Sequence, residues 1–409
     1  MKLFRNFIFI FLFTCTTVLH AQNKAVFLIV DGIPADVLEK TPTPFIDEIA
    51  REGGYTRAWL GGEKGGYSES PTISAVGYNT LLTGTWSNKH NVWGNSIRQP
   101  NYHYQTIFRI AEEANPNLKT AVFSTWLDNR TRLIGERLPE NGNILIDYAF
   151  DGFENDTVAF PHRGRKYIFD IDEHVSKEAG RYIRANGPDL SWVYLEYTDD
   201  IGHMHGDSPE MTEAVKAADV QIGRVWEAVK ERMRQTGENW MIVVTTDHGR
   251  DAATGKDHGG QSEREKTIWI ATNYKPLNVH YNQNPAMVDI MPSMLRFLDI
   301  QMPAKIEEEI DGVSFIGKVS MSNLKAGLSK TNRQMVRLSW KVLDPDGEVE
   351  IWVSTTNQFK EGDSDHYQLV GKTETSKGEF TFDISQMKST FYKILVKAPY
   401  NFQNQWVVL

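Results

Sequence analysis

Apolar runs alternate with amphipathic stretches through the first three quarters of the chain. Ala25-Val26-Phe27-Leu28-Ile29-Val30 and Trp240-Met241-Ile242-Val243-Val244 are continuous and rich in β-branched residues. That is the pattern of parallel strands buried on both faces. Residues 119–125, 190–197 and 267–271 read as further strands. Residues 43–51, 75–82, 104–114, 172–185, 209–235 and 288–298 carry helical spacing instead. Strands alternating with helices predict an α/β fold, a mostly parallel central sheet flanked by helices. The pattern changes after about residue 318. Residues 319–333 are rich in Ser, Lys and Asn and read as a linker. From residue 334 to 409, short alternating runs at 335–340, 349–353, 367–370, 379–382 and 392–396 are separated by turn residues such as Asp344-Pro345-Asp346-Gly347. This predicts a small C-terminal β-sandwich.

The N-terminus stands apart. Lys2 and Arg5 precede an apolar run from Phe7 to Val18, and Ala21 offers a small residue for cleavage. Residues 1–21 therefore read as a signal peptide, with a periplasmic or secreted mature chain starting at Gln22. Lipid attachment at Cys15 is disfavoured, because bulky Phe13 sits where a lipobox needs a small side chain. Cys15 is the only cysteine, so the mature chain would hold no disulfide and no thiolate metal site. Loss of Lys2 and Arg5 would take the net charge from -9 to -11. An acidic surface is unsuited to nonspecific nucleic-acid binding. No segment of the mature chain is apolar and long enough for a transmembrane helix.

Candidate chemistry gathers where strands end. Asp31 follows the first strand, Asp199 follows residues 190–197, and Asp247 follows the Trp240 strand. His203, His248 and His258 fall in the segments just beyond, expected to be loops. Any one of these residues could be a helix cap or a satisfied core histidine. Three carboxylates and three imidazoles at one sheet edge suit two divalent ions, most naturally Zn²⁺. Paired ions can hold the attacking and leaving oxygens of a displacement at phosphorus. Ser74, at the start of the 75–82 helix, is either an N-cap or a nucleophile favoured by the helix dipole.

The order and spacing resemble the alkaline phosphatase superfamily, and within it the type I phosphodiesterase/nucleotide pyrophosphatase group. The resemblance rests on Asp31-Gly32, Pro71-Thr72-Ile73-Ser74 leading to Thr83-Gly84, and the stretch His90 to Asn95. Asp199-Asp200-Ile201-Gly202-His203-Met204-His205-Gly206, Asp247-His248-Gly249, His258-Gly259 and Asp289-Ile290-Met291-Pro292 continue it. It implies one ion held by Asp199, His203 and His258. It implies a second held by Asp31, Asp247 and His248, with Ser74 as its reactive ligand, and Asn95 contacting a phosphoryl oxygen. The implied activity is hydrolysis of small phosphodiesters or pyrophosphates through a phosphoseryl intermediate. The C-terminal segment resembles a fibronectin type III-like module, expected to act as a spacer or to contact a surface or glycan.

The chain departs from the group's pattern at Ser74, where Thr is usual, and at Val76-Gly77, where a Pro-Asn pair is usual. The loop between His248 and His258 is short. Ser74-Ala75-Val76-Gly77 lacks the Pro-x-Arg that sulfatases need after their nucleophile. Tyr78, Trp93 and Trp126 are candidates for an aromatic wall beside the leaving group. Arg130, with Arg132, is the candidate for binding the extra charge of a monoester, so a phosphomonoesterase is the alternative enzyme. A surface-binding protein with a vestigial metal site is the alternative of another class.

Overall fold

A computed structural model describes residues 22–409. The expected signal peptide and Cys15 lie outside the described residues. Seven strands form the main sheet: β1 (Asn23–Val30), β2 (Gly54–Trp59), β3 (Thr120–Ser124), β4 (Tyr148–Phe150), β5 (Leu190–Leu195), β6 (Asn239–Thr245) and β7 (Thr267–Thr272). Their order is β2-β7-β6-β1-β5-β3-β4. Strands β6, β1, β5, β3 and β4 run parallel; β7 and β2 close one edge antiparallel. Strand β1 is central, and Ala25 to Val30 are fully buried. Its side chains alternate between faces. Ala25, Phe27 and Ile29 pack under the helix Ser74–Thr83, while Val26, Leu28 and Val30 pack under Lys166–Asn186 and Pro209–Thr236. Burial on both faces is why the run Ala25 to Val30 carries no polar side chain.

The register of the three central strands sets the site. Val30 of β1 lies beside Leu195 of β5, and Ile29 beside Thr245 of β6. Adjacent strands are about 4.8 Å apart. Residues just past these three ends therefore meet at one edge.

Seven further strands form the C-terminal module: β8 (Met321–Leu328), β9 (Met335–Val342), β10 (Glu348–Ser354), β11 (Gln368–Glu374), β12 (Glu379–Asp383), β13 (Phe391–Lys397) and β14 (Phe402–Val408). They make two antiparallel sheets, β11-β10-β13-β14 and β12-β9-β8, around a shared core that includes Val336, Trp340, Ile351 and Ile394. One expectation is corrected here. Much of the stretch read as a linker is strand β8, paired along β9. Its Ser, Lys and Asn residues look like linker composition because a half-exposed strand keeps one polar face.

The module packs directly on the α/β domain. Phe359 joins the main hydrophobic cluster, and Lys393, wholly buried, pairs with Glu309 and Asp365. Tyr67 stacks on Trp406 and donates to Gln405.

Candidate active site

Asp31, Asp247 and His248 are buried together at the ends of β1 and β6. Asp199, His203 and His258 form a second group, more open to solvent. Within each group one donor atom per residue lies within 4.8 Å of the others. Asp199 sits in the first turn of the helix Tyr197–His205, so His203 lies one turn on along the same face, not in a loop as expected. The helix starts early because Asp172 caps it, accepting from the backbone N–H of Glu196 and Tyr197.

The imidazoles are set for metal ligation. His248 Nδ1 bonds the Gly249 carbonyl and His258 Nδ1 the Thr72 carbonyl, each at 2.9 Å. With Nδ1–H donating, each Nε2 keeps a free lone pair toward the site. His258 and His203 Nε2 approach within 3.1 Å, and His203 Nε2 lies 3.3 Å from Asp199 Oδ2.

The carboxylates show an uncompensated demand for cations. Asp31 Oδ1 and Asp247 Oδ2 are buried without any hydrogen-bond partner. Their other oxygens are occupied. Asp31 Oδ2 accepts from the hydroxyls of Tyr78 and Tyr194, and Asp247 Oδ1 accepts from the Gly32 N–H at 3.0 Å. One free oxygen per carboxylate, beside a free imidazole nitrogen, suits a divalent ion. Burial, then the charge of Asp31, pushes Asp247 well above the usual carboxylate range. Burial disfavours a charged His248, but Asp247, Asp31 and Asp199 outweigh it and push the ring up to about 9. His258 moves down to about 4 through burial and the neighbouring His248. A cation beside Asp31 and Asp247 would offset their mutual repulsion and favour both carboxylates in the charged form.

Ser74 is the first residue of its helix; Ile73 occupies the N-cap position and no side chain caps the end. The capping role is therefore not the one Ser74 plays. Its Oγ lies 3.4 Å from His248 Nε2, facing the buried group. Asn95 comes from a separate loop and accepts the Ala75 N–H at 3.0 Å through Oδ1. That bond fixes the amide beside Ser74 and leaves its NH₂ to donate.

A family model for type I phosphodiesterase/nucleotide pyrophosphatase matches residues 25–314. The chain belongs to that family. Relatives include an uncharacterized pyrophosphatase/phosphodiesterase of Schizosaccharomyces pombe, 24% identical over 238 residues. Human ectonucleotide pyrophosphatase/phosphodiesterase family member 5 is 25% identical over 242 residues. Each match covers 56% of this chain and 45% of the relative, so the chain spans less than half of these relatives. Among solved structures, the phosphonate monoester hydrolase of Agrobacterium radiobacter superposes with a TM-score of 0.50 at 11% identity, covering 94% of this chain and 89% of that one. A 2-O GAG sulfatase does so at 0.50 and 12%, covering 90% and 86%. At these identities the likeness concerns the fold alone.

Two expected substrate residues take other places. Tyr78 is wholly buried, its hydroxyl on Asp31 and Tyr194, and so cannot wall a leaving-group pocket. Arg130 is held by Asp151 at 2.6 Å and by Glu136, rather than free for a phosphate. Arg132 is tied to Asp128 and to the Ile97 carbonyl. Trp93 is 47% exposed, and Trp126 is half-buried against Tyr78.

Sequence reasoning missed Arg250. It is 1% exposed. It donates to the carbonyls of Gly32 (3.0 Å), Lys256 (2.8 Å) and Asp199 (2.8 Å), and to Asp199 Oδ1. One guanidinium thus ties together the three segments that carry Asp31, Asp199 and His258. Two glycines make its socket. A Cβ on Gly202 would lie 2.2 Å from Arg250 Cζ, and one on Gly32, at φ +64°, 2.7 Å from Nη2. Burial works against the Asp199 charge, yet His203 and Arg250 hold its carboxyl well below the usual range. Its position right after Asp247-His248-Gly249 is the one sequence signal that could have raised it.

Proposed function

We propose that this chain is an exported hydrolase of phosphodiesters or pyrophosphates that works through a phosphoseryl intermediate on Ser74. The observation that carries the reading is the placement of the Ser74 hydroxyl, free of capping, against the buried group Asp31, Asp247 and His248. Asp31, Asp247 and His248 would hold one divalent ion and Asp199, His203 and His258 the other, Zn²⁺ best suiting these N/O donors. Bound there, such ions supply positive charge that favours a serine alkoxide and offsets charge on the leaving oxygen. Ser74 Oγ, at a helix N-terminus where the dipole also favours negative charge, attacks phosphorus and the ester oxygen departs. Water then attacks phosphorus and releases Ser74. The Asn95 amide donates to a nonbridging oxygen as charge grows there. The tyrosine pair behind Asp31 fixes which of its oxygens faces the site.

Monoester hydrolysis fits less well. The second phosphate charge needs an unengaged cation, and both candidate arginines are already paired with carboxylates. The binding-protein alternative needs a broken ligand set, and all six ligand residues are present. Export rests on the N-terminal sequence alone, and sequencing the mature N-terminus tests it. The activity is tested with bis-p-nitrophenyl phosphate against p-nitrophenyl phosphate, with Zn²⁺, for wild type and Ser74→Ala. Faster diester turnover, lost in the variant, is expected. No Zn²⁺-dependent hydrolysis of either ester would refute the reading.

A further inference from the structure

We infer that the C-terminal module is a working part of the phosphoryl site, positioning the segment that carries Asn95. The inference rests on the proposed role of Asn95. Residues 85–105 run from the Ser74 helix through the short helix Ser87–His90 to the helix Ile107–Ala114, and place Asn95 on the Ala75 N–H beside Ser74. The module grips this segment at both ends.

At the first end, Lys89 has a fully buried side chain. Its ammonium donates to Asn404 Oδ1 on β14 at 2.6 Å, to Asp311 Oδ1 at 2.5 Å and to the Glu309 carbonyl at 2.7 Å. The Asn404 amide also donates to the carbonyls of Ile310 (2.8 Å) and Glu308 (3.2 Å). Asn404 therefore completes the Lys89 site and holds the turn after the helix Ala304–Glu307, which supplies its other partners. A buried ammonium missing one acceptor is costly, so Lys89 stays put only while the module is docked.

At the second end, Phe359 packs on Tyr104 with ring centroids 5.0 Å apart. The Asn101 amide donates to the Lys360 carbonyl at 2.9 Å. Between the two ends, the segment folds back on itself, since the Asn101 N–H donates to the His90 carbonyl at 2.9 Å. Asn95 itself is exposed and attached to the core by its one bond to Ala75. Its position is thus inherited from Val92 and Ile97, buried in the main core on either side of it, and from the two end anchors that the module supplies. Misplacement of a group by about 1 Å can cost about a hundredfold in rate.

Asn404 and Phe359 are positioning residues on this account. The test uses the full chain with Asn404→Ala, Phe359→Ala and the conservative Phe359→Leu. Val349→Ala, which opens a cavity in the module's own core at the start of β10, is the stability control. The expected result is a fall of about tenfold or more in diester kcat for the two alanine variants, with little change in KM, because the Asn95 donor acts mainly as charge develops. Phe359→Leu should recover most of it, and Val349→Ala should melt lower while keeping its kcat. Amide hydrogen exchange across residues 86–101 should quicken in the two alanine variants alone. Loss of melting temperature with unchanged kcat and unchanged exchange would overturn the inference. If the wild-type chain hydrolyses no ester, the functional reading fails instead, and the exchange measurement still decides whether the module holds the segment.

Discussion

Replacing Arg250 by Met tests whether one buried guanidinium holds the site together. The substitution keeps an unbranched side chain in the socket formed by Gly32 and Gly202 but removes four hydrogen bonds. Three backbone carbonyls and one carboxylate oxygen lose a charged donor. Each buried acceptor left unpaired costs about 1–3 kcal/mol. Relief of guanidinium desolvation offsets part of this, and breaking a buried pair by removing one partner costs about 3–5 kcal/mol in measured cases. A loss of about 3–5 kcal/mol is therefore expected for the metal-free protein. At about 2 °C per kcal/mol for a large domain, the melting temperature should fall by roughly 6–10 °C. With saturating Zn²⁺ the gap should narrow, because an ion on Asp199 partly replaces the missing charge and binding to the native state adds stability. Arg250→Lys should fall between, keeping the charge but reaching fewer carbonyls. Urea or thermal unfolding in chelator and in Zn²⁺ measures all four quantities. A loss below about 1 kcal/mol in chelator would refute the reasoning, since surface arginines cost that little.

Four further outcomes are expected. Ser74→Ala should abolish diester turnover by about a thousandfold or more while shifting stability by less than about 1 kcal/mol, since its hydroxyl makes a single long contact; comparison of kcat and melting temperature checks both. Chelation of bound metal should lower the melting temperature and Zn²⁺ should restore it, because Asp31 Oδ1 and Asp247 Oδ2 otherwise stay buried without a hydrogen-bond donor, with only His248 Nε2 at 3.4 and 3.3 Å. Arg130→Ala should leave the diester-to-monoester ratio unchanged and lower stability, because Asp151 and Glu136 are its partners; a changed ratio would restore Arg130 as a phosphate ligand. Burial pushes Asp219 up to about 6, against the pull of the Phe45 and Ile46 N–H groups. Its folded value exceeds the ordinary 3.8, so the native state binds the proton more tightly, and this contribution is full below that value and lost as pH rises through about 6. Asp219→Asn should flatten the fall in stability across that window, read from denaturation midpoints at several pH values.

The candidate ligands were legible because strand pattern and ligand chemistry coincide in sequence. Asp31, Asp199 and Asp247 each follow an apolar run, and the histidines keep short fixed offsets from two of them. The side-chain roles were less legible. Tyr78 lies four residues after Ser74 on a helix whose ten residues are all buried. Sequence spacing put it near the chemistry, but only packing turned it inward to Asp31. Arg130 and Arg250 look alike as loop arginines. Asp151 and Glu136 neutralise one of them, and backbone carbonyls from three segments surround the other.

Sequence alone determined the alternation of strands and helices, the residues able to hold metal and the identity of the nucleophile candidate. These are local properties: side-chain chemistry and periodicity within a dozen residues decide them. Strand order, the pairing of β8 with β9, the two-tyrosine support of Asp31, the Arg250 socket and the grip of the C-terminal module on residues 85–105 came only from the tertiary structure. Apart from the β8–β9 pairing, each depends on contacts between positions tens to hundreds of residues apart. Such contacts are fixed by burial and hydrogen-bond satisfaction over the whole fold, and no local pattern records them.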